Sequence, residues 1–125
     1  MPHVSTTHLK TYGTVIGNGH CVHLVRQTTG LPHTSLWRRG DPVRGSGCAP
    51  GTAIATFDED GSYGNHVDGR SHAALLLAEN SDGIVVCDCW RGQPVHERTI
   101  KYREGQGDAA NDADRFYVVE LRGTE

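Results

Sequence analysis

The sequence predicts an α+β domain in which one early helix packs on a mainly antiparallel sheet of about five strands. Apolar residues recur at helical spacing after Gly19 and stop at Gly30. Two longer apolar runs, residues 71–78 and 83–90, flank a polar segment that ends before a glycine, which is typical of a β-hairpin. A helix first and strands afterwards indicate the α+β class.

Length and charge limit the possible kinds of protein. A chain of 125 residues is long enough for one domain, so we interpret residues 1–125 as a single domain with residues 1–16 as a loosely packed lead-in. The net charge of -3 and the scattered Lys and Arg residues argue against a nucleic-acid partner. No segment looks like a signal peptide or a membrane span, so we expect synthesis in the cytoplasm and no membrane insertion.

The early helix carries a cysteine in its first turn. Asn18 and its flanking glycines can cap the helix, and Cys21 follows them directly. Unpaired backbone N–H groups and the helix dipole favour a thiolate at such a position and provide donors for an oxyanion. Cys21 therefore becomes the candidate nucleophile, with a small buried apolar cysteine as the alternative.

The middle of the chain alternates short elements and loops. Residues 33–39 suggest one or two helical turns before Gly40, and residues 41–51 form a turn-rich loop. Residues 52–57 predict the first strand, and a polar loop, residues 58–69, follows with Tyr63 and His66. Residues 97–102 and 115–121 predict two last strands around an acidic loop.

The hairpin predicts a chemically useful pair. A turn centred on Ser81 places Ala78 opposite Ile84, and the same register makes His72 and Asp88 diagonal neighbours on one face. A carboxylate in that position fixes the tautomer of a histidine and stabilises its imidazolium. We expect the Cys21 helix to lie on this same face, against Ala74 and Ala78.

The order of these segments resembles that of the CHAP group of cysteine, histidine-dependent amidohydrolases and peptidases and of the related NlpC-type peptidoglycan peptidases. The matching segments are residues 19–22, Trp37, Gly40, residues 50–54, residues 71–75 and Asp88. The resemblance implies a papain-like fold and a cysteine amidase or peptidase without metal or cofactor. On this resemblance Cys21, His72 and Asp88 are the catalytic residues.

Four further residues are candidates for substrate contact: His20, Tyr63, His66 and Trp90. His20 adjoins the nucleophile, and His66 lies in a loop shortly before His72, which makes it the rival candidate for the base. Tyr63 either binds substrate or caps its loop. His23 and His96 are expected at solvated positions, and His3 and His8 in a mobile terminus.

The small size and the absence of a wall-binding domain make the chain similar to type VI secretion amidase effectors. That resemblance implies cleavage of amide bonds in peptidoglycan stem peptides, export by a specialised secretion system into a target periplasm, and a possible cognate immunity protein. A phage lysin is the alternative source of such a domain.

Two other classes stay open from the sequence. One is a small zinc-binding module that uses His20, Cys21 and His23 with Cys87 and Cys89. The other is a non-catalytic binding or immunity protein on the same fold.

The cysteines allow one predicted bridge beside a catalytic Cys21. Cys87 and Cys89 lie two residues apart on a strand, about 6.5 to 7 Å between Cα atoms, at the limit of disulfide geometry. A bridge, if formed, is therefore expected between Cys48 and one of these two.

Overall fold

A six-stranded antiparallel sheet is the main element in the described part of the protein. The computed structural model describes Val22, Val25, Arg26 and residues 29–64, 71–90 and 93–121. Its strands pair in the order β1-β6-β2-β3-β4-β5, each antiparallel to its neighbours. The strands are β1 (Trp37–Pro42), β2 (Ala53–Thr56), β3 (Ala73–Glu79), β4 (Gly83–Trp90), β5 (Gln93–Lys101) and β6 (Phe116–Leu121). The predicted antiparallel sheet is confirmed, with six strands in these ranges instead of about five.

Both faces of the sheet are covered by apolar side chains. Alternate residues along a strand point to opposite faces, and the buried residues separate into two clusters accordingly. The Trp37 face comprises Trp37, Ala53, Ala55, Ala73, Leu75, Cys87 and Val119. The Phe116 face comprises Ile54, Ala74, Leu76, Ile84, Val86, Ile100 and Phe116. Burial on both faces explains why the hairpin strands read as continuous apolar runs.

The helical residues lie on a different face from the one predicted. Val22, Val25, Arg26 and Thr29 are helical, and Gly30, with φ of 77°, ends the turn by donating to the Arg26 carbonyl. Val25 is buried in the Trp37-face cluster, so the expectation of contact with Ala74 and Ala78 is wrong. Cys21 and residues 1–16 lie outside the described residues. No described helix is long and apolar enough to cross a membrane.

The segment predicted to form one or two helical turns at residues 33–39 divides between one 3₁₀ turn and the start of β1. A short 3₁₀ helix, Thr34–Leu36, is capped by the His33 ring, which accepts from the Ser35 N–H at 3.1 Å. Trp37 then starts β1, which pairs with Leu121 and Val119 of β6. Burial of the Trp37 ring and pairing with β6 outweigh the local helical preference, because tertiary contacts override propensity.

The β3–β4 hairpin has the predicted register in the part away from its turn, but a different register next to the turn. Leu75 pairs with Cys87 as predicted, but Ala78 pairs with Val85 instead of Ile84, and a bulge between Leu76 and Ala78 absorbs the difference. The cause is the Asn80 side chain, which accepts from the backbone N–H groups of Asp82 and Gly83 at 2.9 and 3.0 Å. This Asx turn shifts the centre of the hairpin.

A buried carboxylate organises the loop between β5 and β6. Asp112 accepts backbone N–H groups from Arg103, Gly105 and Asp114 at 2.6–2.9 Å. Two further 3₁₀ helices, Ala109–Asn111 and Ala113–Arg115, flank Asp112. Charge-assisted bonds to three amides make this side chain the structural centre of the loop.

Replacing Asp112 with Ala should therefore destabilise the fold by about 1–3 kcal/mol, because buried N–H donors lose their acceptor. Urea unfolding measures the effect. Asp108→Ala is the matched control, since Asp108 is an exposed acid of the same loop whose side chain caps nothing. Equal stability of the two variants would contradict the role given to Asp112.

Candidate active site

The position of His72 is fixed by β2 and β6. Its backbone N–H donates to Thr56 Oγ1 at 2.9 Å, and its carbonyl accepts from the Thr56 N–H at 3.0 Å. The imidazole meets the Phe116 ring edge-on, with centroids 6.2 Å apart. A buried histidine held at both backbone ends presents its ring in a defined direction, toward the neighbouring strand β4.

Asp88 on β4 receives that ring. His72 Nε2 lies 2.7 Å from Asp88 Oδ2, which is the contact expected from the hairpin register. Asp88 is fully buried. A carboxylate can only accept, so Nε2 carries the hydrogen and the tautomer is set by Asp88. Nδ1 is then the ring nitrogen able to take up a further proton.

Two residues of β5 complete the surroundings of the carboxylate. Arg98 Nε donates to the same Oδ2 at 2.8 Å, and His96 Nε2 lies 3.7 Å from Oδ1. Oδ1 has no hydrogen-bond partner among the described residues. The solvated position expected for His96 is wrong, because its side chain is only 27% exposed and faces Asp88.

Sequence reasoning missed Arg98 because the strand was predicted to start at residue 97 with no partner assigned. The available signal was the alternation along β5. His96, Arg98 and Ile100 are at least partly buried, whereas Glu97, Thr99 and Lys101 are exposed. His96 pairs with Asp88, so this alternation places two basic side chains beside the predicted acid.

The electrostatics of Asp88 reflect these partners. Burial alone would raise the pKa of the carboxyl. The hydrogen bond and charge of His72, followed by those of Arg98, outweigh burial and hold the pKa below its usual value. Asp88 is thus an anion at neutral pH, stabilised by the groups around it.

Of the other predicted site residues, Tyr63 lies wholly within the described part of the chain. Cys21, His20 and His66 lie outside the described residues, as does the side chain of Trp90. Tyr63 is 7% exposed and packs on Trp37 with ring centroids 5.2 Å apart. Packing in the core therefore accounts for Tyr63, which offers a substrate little surface.

The described cysteines do not support a bridge between Cys48 and Cys87. Both are free; Cys48 packs against the Phe116-face cluster, whereas Cys87 is buried in the Trp37 face. Burial, with the nearby Asp88 and Glu97 charges, raises the pKa of the Cys87 thiol to about 11. Among the described residues no three His, Cys, Asp or Glu side chains group as metal ligands; His20, Cys21 and His23 of the zinc hypothesis lie outside them.

An antiparallel sheet with a buried His–Asp pair at one end defines a candidate hydrolase site. The chain belongs to the domesticated amidase effector 2 family, whose family model matches residues 3–119. A domesticated amidase effector 2 of Ixodes scapularis is 40% identical over 106 residues, covering 81% of this chain and 70% of that protein. The resemblance to amidase effectors stated from the sequence is confirmed at this level.

Type VI effectors are also among the relatives. A type VI secretion amidase effector 2 protein of Salmonella typhi is 30% identical over 119 residues, covering 84% of this chain and 88% of that protein. The solved structure of a type 6 secretion amidase effector 2 (Tae2) matches with a TM-score of 0.82 at 30% identity, covering 98% and 97% of the two chains. Sequence and fold thus indicate the same relationship.

Acid should remove the stabilisation that Asp88 provides. Its pKa is lowered in the folded state, so its contribution is complete above the unfolded value of about 3.9 and is lost as pH falls through the folded value. We expect the stability gap between the wild type and Asp88→Asn, measured by urea unfolding, to be largest near neutral pH and to shrink below about pH 4. A gap independent of pH would contradict this electrostatic role.

Thiol alkylation should separate the two described cysteines. We expect iodoacetamide at pH 8 to modify the partly exposed Cys48, which lies in a loop, while the buried thiol of Cys87 reacts only after unfolding. Peptide mapping by mass spectrometry reads each site, with a urea-unfolded sample as the control. Equal modification of both in the native protein would show that Cys87 is accessible.

Proposed function

We propose that the protein is a cysteine amidase that cleaves amide bonds in the peptide stems of peptidoglycan. The observation that carries the proposal is the buried hydrogen bond of 2.7 Å between His72 and Asp88. It is supported by membership of a family named for amidase effectors and by the predicted helix-start position of Cys21. A papain-like arrangement of the CHAP or NlpC type is part of the same proposal.

In this mechanism Cys21 is the nucleophile. Its thiolate adds to the stem-peptide carbonyl, and the tetrahedral oxyanion accepts hydrogen bonds from backbone N–H groups at the start of the helix. The C–N bond then breaks as His72 Nδ1 gives its proton to the leaving amine, which leaves a thioester on Cys21. Water, deprotonated by the same nitrogen, hydrolyses the thioester and regenerates the thiolate.

Asp88 acts on this cycle through His72. The carboxylate keeps the hydrogen on Nε2, so that Nδ1 is always the nitrogen that exchanges protons with sulfur, amine and water. It also stabilises the imidazolium, which is the acid of the first step. No metal or cofactor takes part in the proposed chemistry.

The biological setting of the proposal follows the relatives. A type VI secretion amidase effector 2 protein is among the proteins that this chain resembles, so we place the action of the enzyme in the periplasm of a target bacterium. A bacterial producer would then need a cognate immunity protein. His20, His66 and Trp90 remain the proposed contacts for substrate.

Mass spectrometry of muropeptides, after incubation of purified peptidoglycan with the protein, tests the proposal. The product masses identify the bond that is cut. Cys21→Ala and His72→Ala should each lower hydrolysis by at least 10³-fold, on the order seen when members of a catalytic triad are removed. Cys48→Ala is the matched control and should leave the rate unchanged, since Cys48 lies in a loop outside the proposed cycle.

The rival base is tested in the same assay. His66→Ala should leave the rate within a few fold if His72 is the base. Full activity of Cys21→Ala, or dependence on His66 instead of His72, would overturn the assignment.

A further inference from the structure

Arg98 is joined to the buried carboxylate at the same atom as His72. Asp88 Oδ2 accepts from His72 Nε2 at 2.7 Å and from Arg98 Nε at 2.8 Å. The far side of the guanidinium faces the loop that Asp112 organises, with Nη1 3.4 Å from Asn111 Oδ1 and Nη2 3.5 Å from the Ala110 carbonyl. Arg98 thus links the β5–β6 loop to the His72–Asp88 pair.

We propose that Arg98 is a positioning residue that, by sharing Asp88 Oδ2 with His72, orients the carboxylate and limits how tightly the imidazole holds its proton. Nothing in the mechanism above requires this arginine. Asp88 sets the tautomer as long as its carboxylate keeps the orientation that brings Oδ2 to His72 Nε2. The inference deepens the proposed function. Its consequence for the catalytic rate rests on that function, whereas the effect of Arg98 on the His72 ring does not.

The physical reason is that one carboxylate charge interacts with two positively charged groups, the Arg98 guanidinium and the His72 imidazolium. Oδ2 is buried, so its interactions are screened little by water or salt. A carboxylate paired with His72 alone would stabilise the imidazolium fully. With Arg98 on the same oxygen, part of that field is cancelled, and the ring gives up its proton more readily to a leaving amine. A base that must both release and accept a proton in one cycle works best when neither form is strongly favoured.

The other described groups that face His72 do not replace this effect. Thr56 on β2 and Phe116 on β6 are uncharged, and Asp88 is the acid on β4. On β5, His96 faces the second carboxylate oxygen at 3.7 Å and adds positive charge only when protonated. Among the described neighbours, Arg98 is the cation that stays charged across the working pH range.

The titration of the His72 ring, followed by NMR, tests the proposal without catalysis. The reference protein for this titration is Cys21→Ala, because this variant lacks the thiol whose titration would be coupled to that of His72. Adding Arg98→Gln should raise the titration midpoint of His72 by about one pH unit, because Asp88 then acts on the imidazole alone. Adding Arg98→Lys should keep the midpoint close to the value in Cys21→Ala alone, because the positive charge is retained.

Lys101→Gln is the matched control. Lys101 lies on β5 and lines the same cleft as Arg98, and no ion pair joins it to Asp88 in the described part of the chain. Its removal costs the same formal charge and should leave the midpoint unchanged. A midpoint in Arg98→Gln that moves no further than in Lys101→Gln would overturn the proposal.

Ring ¹⁵N shifts of Arg98→Lys give a second test that holds even if Arg98→Gln does not fold. A lysine cannot hold Oδ2 and the loop together, so the neutral ring should show a mixture of tautomers. An unchanged single tautomer would overturn the positioning role. Because neither readout needs turnover, absence of amidase activity would count against the proposed function and leave this inference standing.

Discussion

The burial of one carboxylate constrains most of the described structure. Asp88 lies in the middle strand of β3-β4-β5, and its charge is tolerable only if cations reach it from both sides. His72, directly before β3, reaches it from one side, and Arg98 on β5 reaches it from the other. A slip of one residue in β4 would turn Asp88 toward the Trp37 face, where Ala73 and Leu75 offer no compensating charge. The ion cluster therefore specifies strand register as well as local chemistry.

Local sequence patterns were sufficient to predict much of the sheet. The β3–β4 hairpin was predictable because two apolar runs enclose a polar turn before Gly83, and the register beyond the bulge followed from the spacing. β1 was not predictable, since its strand conformation depends on pairing with β6, some eighty residues away in the chain. The face chosen by the helical residues was also out of reach, because both faces of the sheet are apolar and Val25 suits either one.

The residues of the candidate site also differ in how far the sequence predicts their contacts. His72 and Asp88 belong to one hairpin, so counting residues from the turn brings them together. Arg98 and His96 come from the next strand, and their contact with Asp88 depends on where β5 begins and how it pairs. A start at residue 97 hid this relation. Asp88 nevertheless lies in an apolar run, and a buried carboxylate needs a positively charged partner. The sequence therefore offered a reason to expect such a partner on each neighbouring strand.

The strand order has a consequence for how the molecule is made. β3, β4 and β5 are sequential neighbours and can pair as soon as each is synthesised. In contrast, β6 must insert between β1 and β2, which precede it by about sixty residues or more. Contacts of such sequence separation form slowly, and until then β1 and β2 present unpaired edges to other chains. Phe116, which packs against the His72 ring, arrives only with that last strand. A nascent chain on the ribosome therefore holds the His–Asp hairpin early, but it encloses the imidazole only after β6 has emerged and closed the sheet.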